Sequence, residues 1–319
     1  MKNASLPKSF RRPGILVAIS LSATLLVACS GADAGTGNGP RVVASFYPLE
    51  YVAERVAGDH ADVVNLTSPG VEPHDLELSV AQTAEIADAD VAFYQDGFQP
   101  AVDEAMEQTG PSHVVDATQV VTLEPVAAHE GETEEEHADH EDEHEGEGGD
   151  PHFWLDPTRL AEVAAAFERT LADAEPEHAS AYAKNVRVLK SDLATLDSSY
   201  RDGLSNCDID TVVVSHDAFG YLSKYGLDFV AINGLTPDAE PSPAHIAELQ
   251  DLVGSEDITT VFSETLASPE LAETLADDLG IGTGVLDPIE GLSETTAEED
   301  YLSLMRANLA ALQEANHCS

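Results

Sequence analysis

A chain of 319 residues with 60 acidic and 14 basic side chains carries a formal charge of −46, and 43% of its residues are hydrophobic. Such a surface repels nucleic acid and draws cations, so nucleic-acid partners are excluded on charge alone. The length suits two domains or one large one, with enough apolar sequence to fill a sizeable core.

The first residues are basic (Lys2, Lys8, Arg11, Arg12), and an apolar run from Ile15 to Ala28 follows, ending Leu26-Val27-Ala28-Cys29. The run is short for a membrane span and reads as a secretory signal, to be left out of the fold. Its last four residues resemble a bacterial lipobox, which implies that Cys29 becomes the acylated first residue of the mature chain. A plainly cleaved signal with an incidental cysteine is the alternative. Ser30-Gly31 and the Gly-rich stretch to Pro40 read as a flexible tether, and anchoring outside the cytoplasm follows. Removal of residues 1–28 takes away four basic residues and no acidic one, so the mature chain is more acidic still. With Cys29 assigned to lipid, Cys207 and Cys318 remain, and an even pair in an exported protein reads as a disulfide; two free buried thiols are the alternative. A bond closing so long a loop contributes roughly 4 to 5 kcal/mol in the chain-entropy model.

From Arg41 onward, short β-branched runs alternate with amphipathic segments, the grammar of βα units and parallel sheets. Strands are predicted at Val42–Phe46, Val63–Leu66, Val91–Tyr94 and Val114–Ala117, with a further one near Val120–Leu123. Helices are predicted at Leu49–Ala57, from Ser79 as N-cap to Ile86, and at Pro100–Gln108. Residues 129–149 interrupt this first half with histidines and carboxylates and almost nothing apolar; twelve acids lie between residues 130 and 150. The chain then enters Asp-Pro-His-Phe-Trp-Leu-Asp-Pro (150–157), in which Phe153, the single tryptophan Trp154 and Leu155 read as a buried anchor. A helix over Thr158–Ala172 places Leu160, Val163, Ala164, Phe167 and Leu171 on one face. A second, over Glu177–Leu204, carries Tyr182, Val186, Leu189, Leu193, Leu196, Tyr200 and Leu204 at unbroken spacings of four and three. At 1.5 Å per residue it spans about 40 Å, long enough to cross between domains.

The remainder repeats the pattern: strands at Thr211–Val214, Asp228–Ile232, Thr259–Phe262 and Gly282–Leu286; helices at Phe219–Tyr225, Pro243–Val253, Pro269–Leu279 and from Thr296 to about Ala315. The inferred architecture is α/β, with two similar lobes built on parallel sheets (41–176 and 205–319) and one long helix (177–204) joining them. Ligands of such sheets sit beyond the carboxyl ends of the strands. Four loops in such positions hold candidate metal ligands: His74 in Gly70-Val-Glu-Pro-His-Asp-Leu-Glu-Leu78, His152 in the block at 150–157, His216 in Ser-His-Asp-Ala-Phe-Gly-Tyr (215–221), and Asp287 in Leu-Asp-Pro. Three imidazoles and a carboxylate suit zinc, with bonds of about 2.0 to 2.2 Å. Glu264, in Val-Phe-Ser-Glu, competes for the fourth position or orients a ligand histidine by accepting its other ring N–H. Asp217, Glu72 and Asp75 are candidates for the same supporting role, or are ordinary loop acids.

These residues resemble the zinc-binding and manganese-binding substrate-binding lipoproteins of bacterial ABC importers, the ZnuA-like group. The resemblance runs from about Arg41 to Cys318 and rests on Ser-Phe-Tyr-Pro-Leu (45–49), Pro-His-Asp-Leu-Glu around His74, the Asp-Pro-His block and Ser-His-Asp-Ala-Phe around His216, in the family's order. It implies two α/β lobes joined by a rather rigid helix with the metal in the interlobe cleft, His74, His152, His216 and Asp287 as ligands, and modest lobe motion on loading. It also implies delivery of Zn²⁺ to an integral-membrane permease, and a location at the outer face of the cytoplasmic membrane, periplasmic where an outer membrane exists. A monomer is expected. Manganese members carry a carboxylate at the position of His216, so imidazole there favours zinc over manganese, the alternative cargo.

Composition makes His129, His137, His140 and His144, interleaved with acids, a weak accessory zinc binder; a solvated charge run with no specific role is the plain alternative. A metal-dependent hydrolase is the competing function class. A catalytic zinc needs an open coordination position and a general base, whereas four protein ligands fill the site, and no His-Glu-x-x-His stretch, nucleophile elbow or phosphate loop is present. No enzymatic activity is expected.

Overall fold

The computed structural model describes residues 39–126, 149–237 and 239–319. The signal segment, Cys29 and the histidines at 129, 137, 140 and 144 lie outside them. No helix among the described residues is long and apolar enough to cross a membrane.

The first sheet is built from β1 (Arg41–Ala44), β2 (Asp62–Asn65), β3 (Val91–Tyr94) and β4 (His113–Asp116), all parallel, in the order β2-β1-β3-β4. The second uses β5 (Thr211–Val214), β6 (Asp228–Ala231), β7 (Thr260–Ser263) and β8 (Gly282–Val285) in the order β6-β5-β7-β8. The two halves thus repeat one topology. Central strands are Val-rich because helices cover both faces: Val42, Val43 and Ala44 are buried, as are Val212, Val213 and Val214.

The helices of the first lobe are α1 (Tyr47–Ala57), α2 (Val80–Asp88), α3 (Pro100–Thr109) and α4 (Pro157–Ala174). Ser79 caps α2 as expected, and Gln82 completes a capping box. The long helix α5 spans Ala179–Gly203, about 37 Å at 1.5 Å per residue, preceded by a 3₁₀ turn at Pro176–His178 where the sequence predicted continuous α-helix. It is bonded into both lobes: Asn185 Nδ2 donates to Val56 O of α1 at 3.0 Å. At its other end Tyr200 OH donates to Met305 O at 2.7 Å, within α8 (Tyr301–Ala315). The second lobe also carries α6 (Pro243–Ser255) and α7 (Glu270–Leu279), the latter ended by Gly280 in the left-handed region at φ 71°.

Three expectations are corrected. The segment near Val120–Leu123 forms no strand, because the Asp116 carboxylate accepts from Thr118 N–H at 2.9 Å and turns the chain into a 3₁₀ turn at Ala117–Gln119. Only Glu124 returns to extended pairing, in a single bridge with Asp150. The segment after His216 is a 3₁₀ helix over Gly220–Tyr225 rather than an α-helix. The last helix begins at Tyr301, not Thr296, because Asp300 caps it in a box with Ser303.

One apolar core runs through both lobes. Phe46, Phe93 and Phe167 from the first and Phe219, Tyr221 and Met305 from the second belong to it, as does the fully buried Trp154, whose ring meets Phe46 edge-on. Lys224 reinforces the junction, bonding Asp156 at 2.6 Å and Asp197 of α5 at 3.1 Å. Cys207 and Cys318 are disulfide-bonded, tying the start of the second half to the C-terminus.

Candidate metal centre

Loops at the carboxyl ends of both sheets meet where the lobes join. His74 follows β2, His216 stands two residues past β5, and His152 opens the 3₁₀ turn Phe153–Leu155. The structure brings these three histidines together with a carboxylate, and that carboxylate is Glu290: one donor atom from each of the four lies within 4.8 Å of the others. His74 Nε2, His152 Nε2 and His216 Nε2 stand 3.4, 3.2 and 3.4 Å from the same oxygen, Glu290 Oε1. None of these atoms, nor Glu290 Oε2, has a hydrogen-bond partner, although Glu290, His152 and His216 are fully buried. Burying polar groups unpaired costs several kcal/mol unless something else satisfies them. Donors bound tetrahedrally at about 2.0 to 2.1 Å lie about 3.3 to 3.4 Å apart, which is the spacing found between each imidazole and the carboxylate.

The far side of each second-half or anchor imidazole is held by an acid. Asp150 Oδ1 accepts from His152 N–H at 2.9 Å and lies 2.7 Å from Nδ1. Glu264 Oε1 lies 2.9 Å from His216 Nδ1 and accepts from Ser215 Oγ at 2.5 Å. Each acid is placed to accept the Nδ1 proton, which leaves Nε2 facing the Glu290 carboxylate. Glu264, the alternative fourth ligand, thus lies on the Nδ1 side of His216 and outside the four-residue cluster, and Asp150 lies on the Nδ1 side of His152. His74 packs edge-on against Phe98, with centroids 4.6 Å apart, and its N–H donates to Glu72 Oε1 at 3.1 Å.

Asp287 lies outside the cluster. Its carboxylate accepts from Ile289 N–H at 2.7 Å and from Thr265 Oγ1 at 2.9 Å, while its backbone is clasped by Asn308 of α8. These bonds build the turn that lifts Glu290 into the site. Ile289, a β-branched residue at φ 60°, is held there against its preference. Trp154 locks the same turn from the other lobe: its Nε1 donates to Pro288 O at 2.8 Å, and its carbonyl accepts from Tyr301 OH at 2.6 Å. Asp75 is exposed, and the Asp217 N–H donates to Gly234 O at 2.9 Å.

Burial alone would push Glu290 up, but His152, His216 and His74 override it and hold the carboxyl well below the usual range. Burial likewise pushes His152 down, yet Asp150 and Glu290 outweigh it and raise the imidazole to about 9; His216 is raised well above its ordinary value against the same burial, through Glu264 and Glu290. Burial and the Glu290 charge push Glu72 up to about 8. Burial takes Asp287 to about 6.

Two repeated α/β lobes with donors converging between them define a two-lobed solute-binding protein. The chain belongs to the ZnuA family, zinc-uptake complex component A, periplasmic, whose model matches residues 42–315. It is 38% identical over 305 residues to the zinc-binding lipoprotein AdcA of Streptococcus pneumoniae, covering 94% of this chain and 60% of AdcA. It therefore spans about three-fifths of that relative's length. It is 32% identical over 318 residues to the high-affinity zinc uptake system protein ZnuA of Bacillus subtilis, covering 96% of this chain and 98% of the relative. Among solved structures, the Zn(II)-bound ZnuA-like domain of S. pneumoniae AdcA superposes with a TM-score of 0.71 at 33% identity, covering 87% of this chain and 99% of the domain. AdcAII of S. pneumoniae superposes with a TM-score of 0.75 at 30% identity, covering 88% and 100%.

Proposed function

We propose that this chain captures Zn²⁺ outside the cytoplasm and delivers it to the integral-membrane permease of an ABC-type importer. The observation that carries the reading is the convergence of three Nε2 atoms on one buried, otherwise unpartnered carboxylate oxygen. His74, His152, His216 and Glu290 are the proposed ligands, in place of the set containing Asp287. Three neutral imidazoles and one carboxylate suit zinc better than manganese, which favours oxygen-rich sites. The relatives named as zinc-binding and zinc-uptake proteins support the same cargo. The lipobox-like Leu26-Val27-Ala28-Cys29 and the lipoprotein relative support a lipid anchor at the outer face of the cytoplasmic membrane.

Residues 41–176 and 205–319 act as the two lobes and 177–204 as their link. Because the core is shared and α5 is bonded to both, loading proceeds with small adjustments rather than a wide hinge. Four protein ligands fill a tetrahedral site, so the ion is held and not used, and no reaction is assigned. The histidines between 129 and 144 serve as a weak, dispensable collector. Zinc analysis of the purified chain lacking residues 129–149 is expected to give one tightly held ion per chain; loss of that ion would refute the assignment to the cleft.

The site also sets a pH dependence. His152 has its folded value raised to about 9, above about 6.5 in the unfolded chain. The stability it gives the metal-free protein is complete below about 6.5 and is lost as pH rises through about 9. Zinc must displace that proton, so binding tightens by up to about tenfold per pH unit for each proton displaced. The zinc-induced rise in Tm is expected to be larger at pH 9 than at pH 6. Calorimetry at pH 7 in buffers of different ionisation heat should register proton release. Identical heats in all buffers would contradict the protonation assigned here.

A further inference from the structure

We propose that Gln95 and Gln99 are positioning residues that set the spacing of the two first-lobe imidazoles for a four-coordinate ion, and so favour zinc over manganese; the proposal rests on the zinc-binding reading above. His74 and His152 each end an acid-proline-histidine tripeptide, Glu72-Pro73-His74 and Asp150-Pro151-His152. The two are held alike. In each, the histidine N–H donates to the preceding acid, at 3.1 Å to Glu72 Oε1 and at 2.9 Å to Asp150 Oδ1. In each, the proline carbonyl accepts from a glutamine of residues 95–99, the stretch between β3 and α3: Gln99 Nε2 donates to Pro73 O at 3.2 Å and Gln95 Nε2 to Pro151 O at 2.8 Å. The same carbonyls close local turns by accepting from Leu76 N–H at 3.2 Å and Phe153 N–H at 2.8 Å. The glutamines are what tie both turns to one support.

A proline carbonyl and the histidine N–H that follows it belong to one planar peptide unit. Bonds at both edges fix the plane from which each imidazole departs. Gln95 and Gln99 are 2% and 1% exposed, so water does not compete for these bonds. Because a carbonyl can only accept, the partners also settle which way each amide points. Gln99 Nε2 donates to Thr67 Oγ1 as well, at 3.0 Å, and that hydroxyl donates to Ser45 O just past β1 at 2.8 Å, so the support is anchored to the sheet. Phe98, between the two glutamines, meets both imidazoles edge-on, with centroids 4.6 Å from His74 and 6.4 Å from His152. The two imidazoles stand 5.6 Å apart by centroid. Residues 95–99 therefore fix this pair from the first lobe alone, whereas His216 and Glu290 arrive from the second. Donors held at a set separation favour an ion satisfied by a tetrahedral set over one that prefers an octahedral set and must spread them.

The test is competition titration of the metal-free full chain with Zn²⁺ and with Mn²⁺, for the wild type, Gln95→Met and Gln99→Met, which keep the length of the side chain and remove its donor. The Kd for Zn²⁺ is expected to rise by about tenfold in each variant, the low end of what loss of a group supporting a ligand costs. The Kd for Mn²⁺ should rise less, so the preference for zinc narrows. Co²⁺ bound in place of zinc reports the geometry, and its visible absorption, intense when four ligands hold it tetrahedrally, should weaken in both variants. Gln95→Asn and Gln99→Asn, which draw the amide back by one methylene, make the same test where a methionine variant does not fold. Unchanged zinc affinity would overturn the proposal. So would equal losses for the two metals, which mark a general loosening of the fold, or a cobalt spectrum identical to that of the wild type. A wild-type chain that takes up no tight zinc would overturn the underlying reading, and is seen before any variant is compared.

Discussion

Replacement of Glu290 by glutamine is expected to weaken zinc binding by about 100-fold or more, because it removes a ligand where loss of a supporting group alone costs about 10- to 100-fold. The change is nearly isosteric, so the fold should persist. It also removes the single negative charge on which His74, His152 and His216 converge. In the metal-free protein the raised His152 value should therefore fall, which an imidazole titration by NMR would follow. Asp287→Asn is the contrasting variant. Its amide oxygen can still accept from Ile289 N–H, so the turn is kept and affinity should drop by no more than about tenfold. Calorimetric titration of the two variants ranks them, and a larger loss for Asp287→Asn would restore Asp287 as the ligand.

Trp154→Ala is expected to carry the largest stability cost of any single change discussed. The indole is fully buried, with centroids 4.9 Å from Phe46, 5.3 Å from Phe98 and 5.2 Å from His152. Truncating a buried Trp to Ala costs about 3 to 5 kcal/mol, a large share of the roughly 5 to 15 kcal/mol that holds a typical protein together. The bond to Pro288 O goes with it, and that bond ties the His152 segment to the Glu290 turn across the lobes. Zinc affinity should fall along with Tm. Trp154→Phe keeps most of the ring and loses the N–H, a change of about 1 kcal/mol. Denaturant melts of both variants, with and without zinc, separate packing from the bond. Equal melting of Trp154→Ala and wild type would contradict the role given to this side chain.

The parts of the molecule decided by local sequence were readable from it. Val-rich runs between amphipathic segments gave the parallel strands, and Ser79 and the spacing from Tyr182 to Tyr200 marked a real helix cap and a real buried face. Three histidines in loops that the sheets converge on were recognisable for the same reason. Glu290 was not, because its place depends on bonds from distant elements. Asp287 stands two residues past β8 and reads from sequence as the better ligand. But Asn308 of α8 fixes its backbone and Ile289 adopts φ 60°, and only that turn brings the next carboxylate inward. The one local hint is the short span Leu286-Asp-Pro-Ile-Glu-Gly291, which carries a second acid two residues past Pro288 in the loop after β8. Near Val120 the pattern misled in the opposite sense. A β-branched run was diverted by one carboxylate, Asp116, bonding the chain behind it.

The central claim is the identity of the four donors, and the most direct measurement is anomalous scattering at the zinc edge from crystals of the zinc-loaded chain. The predicted result is one strong peak in the cleft, about 2.0 to 2.2 Å from His74 Nε2, His152 Nε2, His216 Nε2 and a Glu290 carboxylate oxygen. A peak bonded to Asp287 or Glu264 in place of Glu290, or no peak between the lobes, would contradict it.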